Sequence, residues 1–148
     1  MRIDEYDLAI LRMLQKNSRM SLKYIAESLG KAPSFVEYRL SRLKANAIIK
    51  KFALIVEPEK LGFDHSTIIM ARIIPRMRRE LEEFIRSKKN VLAAYLITGP
   101  YDICMLAVFR DRREFLNFVE EMFNRGFVSE TMTLIVVDKI KEEFELPI

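Results

Sequence analysis

Between residues 31 and 44 the chain sets Lys31, Ser34, Phe35, Tyr38, Arg39, Ser41, Arg42 and Lys44 around apolar residues that recur at helical spacing, Val36, Leu40 and Leu43. With that stripe turned inward, Ser34, Phe35, Tyr38, Ser41 and Arg42 face outward, and Glu37 and Arg39 flank them. Such a surface fits a DNA groove: a guanidinium meets a guanine edge or a phosphate, and an aromatic ring packs on a thymine methyl group. Lys31 and Lys44, with Lys23, Lys50 and Lys51, suit phosphate contacts that fix register. Glu37 opposes phosphate, and the neighbouring cations Arg39 and Lys44 are its expected partners.

A helix that reads DNA needs a second helix to hold it. Leu22, Ile25, Ala26 and Leu29 mark the inward face of one, with Ser21 as its N-cap. Ala26 is small where two helices cross closely, and Gly30 permits the positive φ of a sharp helix exit. Pro33 suits the first turn of the next helix, which the spacing runs to about Asn46. The pair reads as a helix-turn-helix. Ahead of it, a helix from about Glu5 to Lys16 is capped by Asp4 and buries Leu8, Leu11, Met13 and Leu14.

Charge supports the same assignment. Residues 1–60 carry 12 Lys+Arg and 7 Asp+Glu, whereas residues 61–148 carry 13 and 14. The excess of positive charge, +4 for the chain, therefore lies wholly in the helical part, where phosphate would be met. Catalytic readings have little support. His65 is the lone histidine and Cys104 the lone cysteine, which argues against a multi-ligand metal site and excludes an internal disulfide. No phosphate-cradling glycine loop or nucleophile elbow is present, and Glu82-Glu83 and Glu142-Glu143 read as solvated faces. No cofactor is implied. No apolar run is long enough to span a membrane and the first residues lack a signal-peptide core, so the expected location is the cytoplasm.

The second half changes period. A strand-like run over residues 48–56 leads to a break at Glu57-Pro58-Glu59-Lys60-Leu61-Gly62. Strands then read over 67–74, 91–98, 103–109 and 131–139, with helices over 76–87 and from the Asp111 cap to Asn124. This β-α-β-β-α-β order implies an antiparallel sheet with both helices on one face, the ferredoxin-like arrangement. The fold class is thus α+β: a helix-turn-helix (winged-helix-like) domain over residues 1–50, a hinge strand and linker over 51–62, and a ferredoxin-like domain over 63–148. Residues 103–109 and 134–137 are apolar on both sheet faces. A second copy of the chain is the simplest cover for the face without helices, giving a homodimer with two heads. Two heads imply a near-palindromic DNA site.

These pieces, in order, resemble the Lrp/AsnC family of transcription regulators. The resemblance rests on Asp4-x-x-Asp7-x-x-Ile10-Leu11-x-x-Leu14-Gln15-x-Asn17-x-Arg19, Ile25-Ala26-x-x-Leu29-Gly30, Arg39-Leu40-x-x-Leu43, Ile49-Lys50-x-Phe52 and Pro58-x-Lys60-Leu61-Gly62. Thr98-Gly99-x-Tyr101-Asp102 and Val128-x-x-Thr131-x-Thr133 complete it. It implies a ferredoxin-like domain that dimerises and assembles further into higher homo-oligomers. It also implies an amino-acid effector at contacts between dimers, held by Thr98, Gly99, Tyr101 and Asp102 together with Glu130, Thr131, Met132 and Thr133. Asp102 suits an α-ammonium group and the N–H groups around Gly99 an α-carboxylate. The chain departs from the family's pattern at three points. Ala32 stands where a Ser or Thr N-cap is usual, Ala47 where glycine is common, and Pro100 removes one N–H from the effector turn. Two other readings stay open: an effector sensor without DNA binding, and a siroheme-decarboxylase-like enzyme, which the lone His65 disfavours.

Overall fold

The computed structural model describes residues 2–148. Among them lie two units, one made of residues 2–55 with 141–148 and the other of residues 56–140. The first holds three helices: α1 (Glu5–Lys16), α2 (Leu22–Ser28) and α3 (Pro33–Ala45). Asp4 caps α1 by accepting from the Tyr6 and Asp7 N–H groups, while Asp7 accepts from the Asp4 N–H, forming a reciprocal capping box. Ser21 caps α2 through the Tyr24 N–H. Ile10, Leu14, Ile25, Ala26, Val36, Leu40 and Leu43 meet in one buried core, which fixes the face that α3 turns outward.

Two helix exits in this unit use the same hydrogen-bond pattern. After α2, Lys31 N–H donates to Ala26 O and Gly30 N–H to Glu27 O; after α3, Ile48 N–H donates to Leu43 O and Ala47 N–H to Lys44 O. Both need a left-handed residue at the turn. Gly30 takes it without a steric penalty at φ +62°, but at the second exit it is Ala47, at φ +55°.

The second unit contains β1 (His65–Ile73), α4 (Arg78–Ser87), β2 (Val91–Leu96), β3 (Ile103–Phe109), α5 (Arg112–Asn124) and β4 (Val128–Ile135). All pairs are antiparallel, in the order β2-β3-β1-β4, as the ferredoxin-like reading requires. Ile69, Ala71, Ile103, Met105, Ala107 and Phe109 pack against Leu81, Phe84 and Ile85 of α4 and Phe118 and Met122 of α5. By strand alternation, Ile68, Met70, Cys104 and Leu106 face the other way, in register with Leu134, Met132 and Tyr95.

Several expected boundaries move; β1 and β2 shift by one or two residues, and three other changes have a clear physical reason. Residues 50–57 form no strand. A strand needs a neighbour for its N–H and C=O groups, and this run has none among the described residues; Leu54 is 87% exposed. β4 begins at Val128 and ends at Ile135 rather than covering 131–139. Its ladder follows β1, running from Ile73 opposite Val128 to Thr67 opposite Ile135. The fourth helix starts at Arg78, because Pro75 opens a single 3-10 turn, Pro75–Met77, ahead of it. The two units also divide the chain differently from the sequence reading, since residues 141–148 join the first unit and not the sheet.

Candidate functional site

The outer surface of α3 is built from its own periodicity. Ser34, Tyr38 and Ser41 are exposed and Arg42 is half-buried, spaced so that they line one side of the helix. Tyr38 is 60% exposed, and the Arg42 guanidinium lies over its ring, 5.6 Å from the centroid. A cation stacked on a ring holds its fork in a limited set of directions, which is useful for bidentate contact with a guanine. Lys31 and Lys44 are exposed; their ammonium groups sit 4.8 Å from the Tyr6 ring centroid and 5.3 Å from that of Phe52.

Two residues read as outward-facing serve the head itself. Phe35 is half-buried, with its ring edge-on to Tyr6 at 5.4 Å. Arg39 turns to α1, not to Glu37. Its Nη1 donates to Asp4 and lies 3.2 Å from both Asp7 carboxylate oxygens. Asp7 is fully buried, and a buried carboxylate needs a counter-charge. The signal was Asp4 and Asp7 three apart at a helix start. The Asp7 N–H first, and Arg39 next, hold the Asp4 carboxyl below its usual range. This anchor ties the middle of α3 to the start of α1; Ala32, two turns earlier, provides no side-chain cap. Tyr24, 56% exposed on α2, is an aromatic that the sequence reading passed over.

The residues predicted to hold an effector do not form one cluster. Thr98 and Gly99 are exposed at the tip of the β2–β3 turn, with Gly99 at φ +117°. Tyr101 is buried, and its hydroxyl donates to Glu130 Oε1 at 3.1 Å. Arg72, absent from the sequence-based set, lies opposite Glu130 in the ladder and pairs with it, Nε to Oε2 at 3.1 Å. Burial first, then the Glu130 carboxylate, raises the Tyr101 phenol above its ordinary range. Asp102 stitches the turn to β1: Oδ2 accepts from the Ile73 N–H at 2.8 Å, and its own N–H donates to Ala71 O. Ile73 follows a register shift that leaves Ser129 of β4 without a partner in β1, so this carboxylate satisfies an N–H at an irregular point of the ladder. Met132 shares the sheet face of Glu130, whereas Thr131 and Thr133 pair with Ala71 and Ile69 and share the helix side. Cross-strand register, not sequence spacing, brings Arg72, Tyr101 and Glu130 together.

Both units match known families. Residues 3–44 match the AsnC-type helix-turn-helix domain, and residues 66–146 match the Lrp/AsnC ligand binding domain. The chain belongs to the Lrp/AsnC family. It is 33% identical over 144 residues to an uncharacterized HTH-type transcriptional regulator of Pyrococcus abyssi, covering 97% of this chain and 98% of that one. A Pyrococcus horikoshii regulator of the same description is 34% identical over 146 residues, covering 99% of each. Among solved structures, a Neisseria meningitidis transcriptional regulator in complex with L-Met superposes with a TM-score of 0.89 at 26% identity, covering 99% of this chain and 97% of that one. Escherichia coli AsnC shares the fold, with a TM-score of 0.86 at 24% identity over 96% of this chain and 97% of its own. This Lrp/AsnC protein is accordingly a transcriptional regulator with a helix-turn-helix DNA-binding domain and a ligand-binding domain. Its α3 is the second helix of the helix-turn-helix, and the Tyr101–Glu130 corner lies in the ligand-binding domain. No helix among the described residues is long and apolar enough to cross a membrane.

Proposed function

We propose that this regulator reads double-stranded DNA with Ser34, Tyr38, Ser41 and Arg42, with Lys31 and Lys44 on the phosphates, and answers to an α-amino acid bound at the Arg72–Tyr101–Glu130 corner. The observation that carries the first part is the Tyr38–Arg42 stack on the exposed side of α3, while the other arginine of that helix is anchored inside. Arg39 and Phe35 support the reading helix without touching DNA.

A zwitterion suits the corner chemically. Arg72 offers a guanidinium to a carboxylate, and Glu130 offers a carboxylate to an ammonium. The L-Met bound to the Neisseria regulator supports the ligand class. Met70, Leu106, Leu134 and Cys104 on the helix-free sheet face favour a second copy of the chain as its cover, with dimers joining into larger assemblies around the corner. Two heads per dimer then read half-sites about one helical turn apart. The setting is the cytoplasm.

Selection of bound fragments from the source genome, with and without each of the twenty amino acids, tests both parts. Recovery of one palindromic site, with affinity shifted by one amino acid, is the expected result. Recovery with no shift by any of them contradicts the effector assignment, and no enrichment of any site contradicts the DNA assignment.

A further inference from the structure

The chain passes between its two units twice, at 55/56 and again at 140/141. In the second unit the two passages are tied to each other. The Lys139 ammonium bonds the carboxylates of Glu57 and Glu59, the latter at 2.9 Å, and Ser66 Oγ donates to Glu59 at 3.3 Å. In the first unit the segment after the second passage lies against α1. Gln15 Nε2 donates to Leu146 O at 3.0 Å, and Leu146 N–H donates to Gln15 Oε1 at 2.9 Å. One primary amide thus meets both backbone polar groups of one residue, as a neighbouring strand would. Arg12 Nε adds a bond to Ile148 O at 2.7 Å.

Burial does not hold this segment, since Phe144 is 70% and Leu146 66% exposed. Its contact with α1 is polar and backbone-directed, made by two residues outside the buried stripe of Asp7, Ile10 and Leu14. Such a contact is strong in geometry and modest in energy, so it is able to form and release without disturbing the core. We propose that Gln15 and Arg12 are a dock for residues 144–148, and that this strap, with the Lys139 clamp, positions the DNA-binding head. A unit joined by one linker samples a large volume; a second tether closes a loop and narrows it. For a two-headed regulator that narrowing raises the effective concentration of the second head at its half-site and leaves single-head contacts unchanged. This consequence rests on the DNA reading above; the dock itself does not.

Hydrogen exchange on the full chain tests the dock. Gln15→Ala is expected to speed exchange in residues 144–148 on the order of tenfold while α2 and α3 keep their protection; unchanged exchange there overturns the dock. Arg12→Ala, at an exposed position, gives the same reading should Gln15→Ala fold poorly. Affinity for a duplex with two half-sites and for one with a single half-site tests positioning. Gln15→Ala and Lys139→Met should weaken two-site binding about tenfold and leave single-site binding unchanged. Equal loss on both duplexes, or loss on neither, overturns the positioning role. If the wild-type protein binds neither duplex, the DNA reading fails, and the exchange experiment alone decides whether the dock exists.

Discussion

The exposed surface of α3 that we propose reads DNA and the corner at Tyr101 differ in how their polar groups are engaged. Ser34, Tyr38 and Ser41 carry no side-chain hydrogen bond among the described residues, and Arg42 is directed only by a ring. At the corner, Tyr101, Glu130 and Arg72 bond one another, and Asp102 holds a backbone N–H. The helix surface therefore meets a partner without rearranging, whereas a corner ligand has to exchange existing bonds for its own. Preorganisation favours binding by the first surface, and at the second a proposed ligand would have to alter structure as it binds.

The largest expected effect separates anchor from reader within α3. Arg39→Ala leaves Asp7 buried without its counter-charge and should destabilise the head by about 3 kcal/mol or more, read as a drop in melting temperature. A head that stays as stable as the wild type would remove the distinction between Arg39 and Arg42. At the corner, Asp102→Ala orphans the Ile73 N–H and should destabilise the second unit by about 1–2 kcal/mol with no ligand present. No change in denaturant midpoint would mean that Asp102 is available to a ligand after all, and that the corner is less engaged than its hydrogen bonds indicate.

Smaller effects sharpen the contrast. Ala47→Gly relieves a left-handed alanine and should stabilise the head by about 0.5–1 kcal/mol, part of the gain being offset by the more flexible unfolded chain. A destabilised variant would contradict the strain assigned to Ala47. The Asp4 cap and the Tyr101 phenol should also titrate at opposite ends of the pH scale. The Asp4 carboxyl is depressed below 3.8 by its Asp7 and Arg39 partners, so its contribution is present above that pH and is lost on acidification. Glu59 behaves alike. The Glu57 hydrogen bond and then Lys139 bring it to about 2 from 4.5, and its contribution disappears between those values. Tyr101 is raised above 10.0, so its contribution is present below pH 10 and is lost as the pH rises past it. Melting followed separately for each unit across pH should show acid weakening both units, through Asp4 in the head and Glu59 in the second, whereas the loss tied to Tyr101 appears in alkali and in the second unit alone; an equal alkaline loss in the head would contradict this assignment.

Much of the fold was legible in the sequence because its signals are local. Asp4, Ser21 and Asp111 cap the helices expected of them, Ala32 caps nothing, and the apolar stripe of α3 turns inward as its spacing requires. Boundaries that depend on a neighbour were not legible. The run 48–56 has strand composition but pairs with no strand among the described residues, and β4 takes its limits from β1. The same holds for the sites. Helix periodicity gave the outward placement of Ser34, Tyr38, Ser41 and Arg42 directly, but the Arg39 anchor needed the buried Asp7 from another helix. Arg72 was invisible for a related reason: only the β1–β4 register places it beside Glu130, 58 positions later in the chain. The passage of residues 141–148 back to α1 had no sequence signal beyond Gln15 itself.

The central claim is that Arg42 reads sequence while Arg39 supports the helix that carries it. The most direct test is the ratio of affinities for the selected palindrome and for a scrambled duplex at fixed salt, measured by fluorescence anisotropy for the wild type and for Arg42→Ala. The account predicts that Arg42→Ala lowers this ratio by about 10- to 100-fold, with a melting temperature close to that of the wild type. An unchanged ratio, or a ratio lost only because the variant unfolds, would contradict it.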